Sequence, residues 1–262
     1  MISKHILVVG GTRGSGLALV RMLSQQDQTV SVFGRRTLPE LEHDLRGVRY
    51  WQLDLRDSQQ LSAALNNVIE TNGKLSSLVF FQRYRGTGDS WTGELETSLS
   101  VTRQMIERLV EEFRVDDDRS IVIVNSIASQ LVTTEQPVGY HVAKAGLIQL
   151  ARYYAVAFGP KGIRVNCVSP GSVLKDEAKA FYEDNPDLYK LYSQVTPLRR
   201  MGTPDEVAQV IMFLCSSQAS FITGQNIIVD GGASLQWQEA VARQVTSLTQ
   251  LPLTQTGEDR QK

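Results

Sequence analysis

The chain has 262 residues, 42% of them hydrophobic, with 27 Lys and Arg against 28 Asp and Glu for a formal charge of −1. That length and apolar share suit one large α/β domain with a real core, while the balanced charge supplies no field that would draw nucleic acid or an acidic membrane surface. Cys167 and Cys215 sit in apolar segments without metal or disulfide spacing, so no metal site is expected and both are read as buried, reduced thiols.

The first element, "HILVVG" at 5–10, is too short for a signal peptide or membrane span and ends in glycines, which makes a cytoplasmic location the default expectation. It leads into "GGTRGSGLALV", with Gly10, Gly14 and Gly16 between the strand and an amphipathic helix at 15–26. There a backbone can turn tightly and approach a pyrophosphate seated on a helix N-terminus. A plain tight turn with small residues for helix packing is the alternative. The second strand, "TVSVFG" at 29–34, ends in Gly34, Arg35 and Arg36 where an NAD site would place a carboxylate for the adenine ribose. Arg35 can fork onto a ribose 2′-phosphate with Arg13 flanking it, so the expected cofactor is NADP(H). The other reading is that Arg35 and Arg36 only begin a solvated helix. After the third strand, "VRYWQL" at 48–53, comes "LDLRD", whose Asp54 is placed either for the adenine edge or as a cap for the helix at 58–73. The fourth strand, "SSLVFF" at 76–81, runs on into Gln82, Arg83, Tyr84 and Arg85, bulky and charged where a small polar loop would be usual.

A helix at 95–114 and a strand, "SIVIVNS" at 120–126, follow. The strand ends in Ser126, at the edge where ligands bind in open α/β sheets. The next helix, 141–158, opens with "GYHVAKAG", and Tyr140 and Lys144 lie four apart on one face, where an ammonium favours an ionised phenol. A sixth strand, "IRVNCVS" at 163–169, precedes a charged, Tyr-rich insertion at 172–200 that suits a lid of one or two short helices. A helix at 204–217 and a strand, "NIIVDGG" at 226–232, complete the domain at about residue 235. In the extension 236–262, a short helix near 238–248 and then a frayed tail are expected. Seven apolar strands alternating with amphipathic segments predict a single α/β domain around a parallel, doubly wound sheet flanked by helices.

The constellation of Gly10, Gly14 and Gly16, "LDLRD", Ser126, Tyr140 with Lys144, "SPG" at 169–171 and the segment from Pro197 to Gly232 resembles the short-chain dehydrogenases/reductases, closest to their 3-oxoacyl-reductase type. The resemblance implies a Rossmann fold and interconversion of a carbonyl and a secondary alcohol on a small molecule. It makes Tyr140 the acid/base and Ser126 the group that orients the substrate oxygen, with Ser129 its rival. Lys144 assists the phenol and holds nicotinamide ribose hydroxyls. Cofactor contacts carried over by position are Gly10, Thr12, Arg13, Gly14, Ser15, Gly16, Arg35, Arg36, Asp54, Leu55, Phe81, Gln82, Arg83, Tyr140, Lys144, Pro170, Gly171 and Val173. Assembly as a homodimer or homotetramer is implied as well.

The chain departs from that family at three places. The Asn-Asn-Ala-Gly turn is replaced by Phe80, Phe81, Gln82 and Arg83, the relay asparagine by Ser98, and a threonine after "PG" by Lys175. Ser98 is either a helix-surface residue or a shorter holder of water. These changes leave open a second class, an NADP(H)-binding sensor or interaction protein that has lost catalysis. Arg199 and Arg200 are candidate contacts for a carrier-linked substrate.

Overall fold

Seven strands form one parallel sheet in the order β3-β2-β1-β4-β5-β6-β7 in the computed structural model, which describes residues 4–36, 45–115 and 118–248. The strands are β1 His5–Val9, β2 Thr29–Gly34, β3 Val48–Gln52, β4 Ser77–Phe80, β5 Arg119–Val124, β6 Ile163–Pro170 and β7 Asn226–Val229. Between them run α1 Gly14–Ser24, α2 Ser58–Asn72, α3 Ser90–Glu94, α4 Val101–Leu109, α5 Val138–Phe158, α6 Lys179–Asp184, α7 Pro186–Val195 and α8 Pro204–Leu214, with α9 Gln238–Leu248 last.

Helices cover both faces, which is why the central strands are continuous apolar runs rather than alternating ones. In β1, Leu7 and Val9 join the layer under α2, α4 and α5, while Ile6 and Val8 join the layer under α1 and α8. Strand order reverses between β1 and β4, and a crevice opens beyond their C-terminal ends.

Two helix boundaries differ from the sequence expectation. The helix expected at 95–114 begins at Ser90, because the Asp89 carboxylate accepts bonds from the Trp91 and Thr92 N–H groups. A π-helical turn, Leu95–Ser100, then joins α3 to α4. The helix carrying Tyr140 begins at Val138, directly after Pro137. The insertion folds as a single 3-10 turn followed by α6 and α7, and α9 falls at the expected 238–248. The expected frayed tail lies outside the described residues. Cys167 and Cys215 are buried and free. Among the described residues no helix is long and apolar enough to cross a membrane, and no group of three or more His, Cys, Asp or Glu could hold a metal ion.

Candidate active site

The glycine loop is built so that side chains cannot enter it. Gly10 has φ 84, and a Cβ there would lie 3.0 Å from the Gln82 backbone nitrogen. A Cβ on Gly16 would lie 2.6 Å from the Gly10 carbonyl oxygen. Backbone is therefore packed on backbone, leaving the start of α1 open to the crevice. Arg13 precedes that helix without capping it, and its first turn holds no acidic residue, so the N–H groups and the positive end of the helix remain available to an anion.

A groove runs along the crevice as two adjoining hollows. Gly10, Arg13, Phe81, Arg83 and Arg85 line both and make them continuous. Gly14, Ser15, Gly16, Ser126, Tyr140, Lys144, Pro170, Gly171 and Val173 line the first hollow. Thr12, Arg35, Arg36, Asp54, Leu55 and Gln82 line the second. Ser126, Tyr140, Lys144 and all the cofactor contacts carried over by position thus border one groove.

Tyr140 and Lys144 occupy the first two turns of α5 and are 8% and 3% exposed. Lys144 Nζ donates to the Val124 carbonyl oxygen at 3.0 Å and stands 5.7 Å from the centre of the Tyr140 ring. Burial pulls this ammonium down to about 8, against the opposing pull of the Glu94 carboxylate. Of the two serines, Ser126 lines the groove, and its Oγ accepts from the Ala128 N–H at 3.2 Å. Ser129 Oγ turns back to donate to the Ser126 carbonyl oxygen at 2.7 Å.

The second hollow is strongly cationic. Desolvation, then the Arg36 charge, lowers Arg13, and desolvation followed by Arg13 and Arg83 lowers Arg85. Lys175 comes over the loop from the insertion: a Cβ on Gly14 would lie 3.2 Å from its Cδ. Desolvation, then Arg85, lowers Lys175 too. A polyanion would relieve this crowding. Asp54 does not cap α2, which is the task of Asp57. It accepts from the Arg56 guanidinium at 3.0 Å, and the pair flanks the hollow.

Ser98 is 1% exposed and not a helix-surface residue. Its Oγ donates to Glu94 Oε2 at 3.0 Å, and the Tyr84 N–H donates to the same oxygen at 3.3 Å. Glu94, also 1% exposed, lies 3.9 Å from Arg83 Nη2. This carboxylate escaped the sequence reading, although its position four residues before Ser98 on a helix was the available signal. Arg83 in turn donates to Gln136 Oε1 at 3.3 Å, and its guanidinium carbon lies 4.6 Å from the centre of the Tyr140 ring. Arg200 is held by the Glu206 carboxylate, and Arg199 donates to the Gln194 carbonyl oxygen. Both are engaged locally and line neither hollow of the groove.

A glycine loop and the Ser126, Tyr140 and Lys144 side chains bordering the same groove, on a doubly wound parallel sheet, define a Rossmann-type α/β protein with its site at the strand ends. Residues 10–234 match the family model described as enoyl-(acyl carrier protein) reductase. The chain is 28% identical over 244 residues to isoepoxydon dehydrogenase patN of Penicillium expansum, covering 87% of this chain and 93% of that protein. It is 27% identical over 250 residues to the 3-oxoacyl-(acyl-carrier-protein) reductase FabG of Chlamydia trachomatis, covering 88% and 98%. Among solved structures, ElxO with NADP bound superposes with a TM-score of 0.79 at 24% identity, covering 90% of this chain and all of that one, 100%. The chain belongs to the short-chain dehydrogenase/reductase family of oxidoreductases.

Proposed function

We propose that the protein is an NADP(H)-dependent oxidoreductase that interconverts a carbonyl and a secondary alcohol on a small molecule. The observation that carries this reading is the burial of Tyr140 and Lys144 side by side in the hollow that Ser126 and the glycine loop also line. Gly10, Gly14, Ser15 and Gly16 fit a diphosphate at the start of α1, with the Lys175 side chain alongside Gly14. Arg35 and Arg36, with Arg13 across the hollow, fit a ribose 2′-phosphate, since the end of β2 carries no carboxylate. The fold likeness to ElxO with NADP bound is consistent with that choice.

The cofactor supplies or accepts the hydride. Ser126 orients the substrate oxygen, and Tyr140 gives it a proton in reduction or takes one in oxidation. Lys144, held by the Val124 carbonyl, keeps a positive charge near the phenol. The insertion, 172–200, covers the groove as a lid, with Val173 and Lys175 on its inner side. Exposed Tyr153 and Val156 on α5 support assembly as a homodimer or homotetramer.

The test is absorbance of NADPH, with NADH in parallel, across a panel of ketones and secondary alcohols. Turnover with NADPH that disappears in Tyr140→Phe is the expected result. Tight NADPH binding without turnover of any panel member would favour the sensor reading.

A further inference from the structure

The reading proposed above leaves two arginines of the groove without a task. On that reading the phosphates of NADP(H) take Arg35 and Arg36 at the end of β2, Arg13 across the hollow, and Lys175 beside Gly14. Arg83 and Arg85 remain, and both line the hollow that Ser126, Tyr140 and Lys144 share. Among the described residues that line this hollow, Glu177 alone is acidic.

Arg83 is fixed against the phenol. Its guanidinium carbon lies 4.6 Å from the centre of the Tyr140 ring, within range of a cation–π contact. Its Nη2 donates to Gln136 Oε1 at 3.3 Å and stands 3.9 Å from Glu94 Oε1. Both contacts use the same nitrogen, and Nη1 meets no acceptor among the described residues. Glu94 is a shared counterion, since its charge acts on Lys144 as well. Arg85 makes no hydrogen bond or ion pair among the described residues, and desolvation, with Arg13 and Arg83 adding to it, pulls it down to about 10. A guanidinium held through one nitrogen and against a ring keeps the N–H groups of its other nitrogen for an oxyanion.

We propose that Arg83, with Arg85, binds a carboxylate of the substrate, and that the substrates are small oxo acids in which this carboxylate and the carbonyl to be reduced lie a few bonds apart. This rests on the oxidoreductase reading. The carbonyl oxygen must reach the Tyr140 hydroxyl while the carboxylate meets a guanidinium held against the same ring, which keeps the two groups close in one small molecule. The carbonyl carbon takes the hydride of NADPH and its oxygen takes the Tyr140 proton, while the carboxylate enters and leaves unchanged. Arg83 is thus a specificity-determining residue. A guanidinium that only placed charge beside the phenol would act alike on every carbonyl, charged or neutral.

The test is NADPH oxidation, at saturating cofactor and low salt, with 2-, 3- and 4-oxo carboxylates, each beside its methyl ester and the neutral ketone of the same chain. For at least one acid, kcat/KM should exceed that of its ester by about ten-fold or more, and the ratio should fall as salt is added. Arg83→Met combined with Glu94→Gln removes the cation without stranding the carboxylate. In that variant the acid-to-ester ratio should fall about ten-fold, chiefly through the KM of the acid, while Glu94→Gln alone keeps it. A wild type that uses esters as well as acids overturns the inference, and so does a double variant whose losses are equal for acid and ester. Where the double variant does not fold, the wild-type ratio and its salt dependence decide. Turnover of ketones and esters with no preference for acids defeats this inference and leaves the oxidoreductase reading standing. No turnover of any acid, ester or ketone defeats both.

Discussion

The Arg83 guanidinium lies 4.6 Å from the centre of the Tyr140 ring while its Nη2 stands 3.9 Å from the buried Glu94 carboxylate. One side chain from the loop after β4 therefore ties Tyr140 to a charge inside the α3–α4 junction. Glu94 has Ser98, the Tyr84 N–H and Arg83 as neighbours, and solvent cannot replace the arginine there. Arg83→Ala should destabilise the protein by about 1–2 kcal/mol, because it strands the carboxylate, with partial exposure of the arginine discounting the larger values seen for fully buried pairs. Adding Glu94→Gln should recover much of the loss. Chemical denaturation of both single variants and the double variant gives the coupling, and strictly additive losses would mean that the pair does not interact.

The 2′-phosphate assignment rests on Arg35 at the end of β2. Arg35→Asp removes a charge-assisted bond and places a carboxylate against the phosphate, so the ratio of NADPH to NADH affinity should fall at least about ten-fold. Fluorescence titration of each cofactor measures it. An unchanged ratio would return Arg35 to a solvated surface and leave the cofactor choice to other residues.

Lys144 gives a pH dependence of defined sign. Burial holds its folded value at about 8, below the ordinary 10.5. Below about 8 both folded and unfolded chains carry the proton, and the cost of burying the charge is complete. Between about 8 and 10.5 the folded chain has shed the proton and the unfolded chain has not, so stability from this group rises with pH. Lys144→Met should therefore raise the unfolding temperature at pH 7 by removing a cost on the order of 2 kcal/mol, and should flatten the rise above pH 8. Turnover in the reductive direction should decline in the wild type over the same window as the ammonium is lost. Thermal melts and rate profiles across that range test both halves.

Gly16→Ala probes the loop itself. Its new methyl would sit 2.6 Å from the Gly10 carbonyl oxygen, so the loop must open or α1 must shift. A stability loss of about 1–3 kcal/mol is expected, as for other overpacked sites, together with weaker NADPH binding. Calorimetric titration that returned wild-type affinity would show that the loop tolerates the movement.

The sheet, the glycine loop and the Ser126, Tyr140 and Lys144 constellation were legible because each is encoded locally. Runs such as Ile6 to Val9 and Ile121 to Val124 are apolar on both faces, and the glycines mark a turn that only they can make. The surroundings of Ser98 were not legible. Glu94 looks like an ordinary helix charge in the sequence, and it is buried only because Tyr84 and Arg83 fold over it from a different segment, while a π-helical turn changes the facing of residues 95–100. The same holds for Arg200, whose partner Glu206 belongs to the first turn of α8. Side-chain contacts between neighbouring segments decided these cases, and hydrophobic periodicity carries no record of them.

Lys175 joins the insertion at 172–200 to the glycine loop, and it tests whether that insertion and a bound cofactor act together. Its stem lies against Gly14, its ammonium is partly desolvated among Arg85, Arg83 and Arg13, and Glu177 is the carboxylate that offsets them. A bound diphosphate would supply the missing negative charge, and the lysine would then hold the insertion closed over the groove. Lys175→Ala should raise the Kd for NADPH about ten-fold, and the deficit should shrink as salt screens the remaining cations. The insertion should also stay open to limited proteolysis at NADPH concentrations that protect the wild type. If affinity and protection both match the wild type, Lys175 merely covers the loop, and the lid closes on the substrate instead.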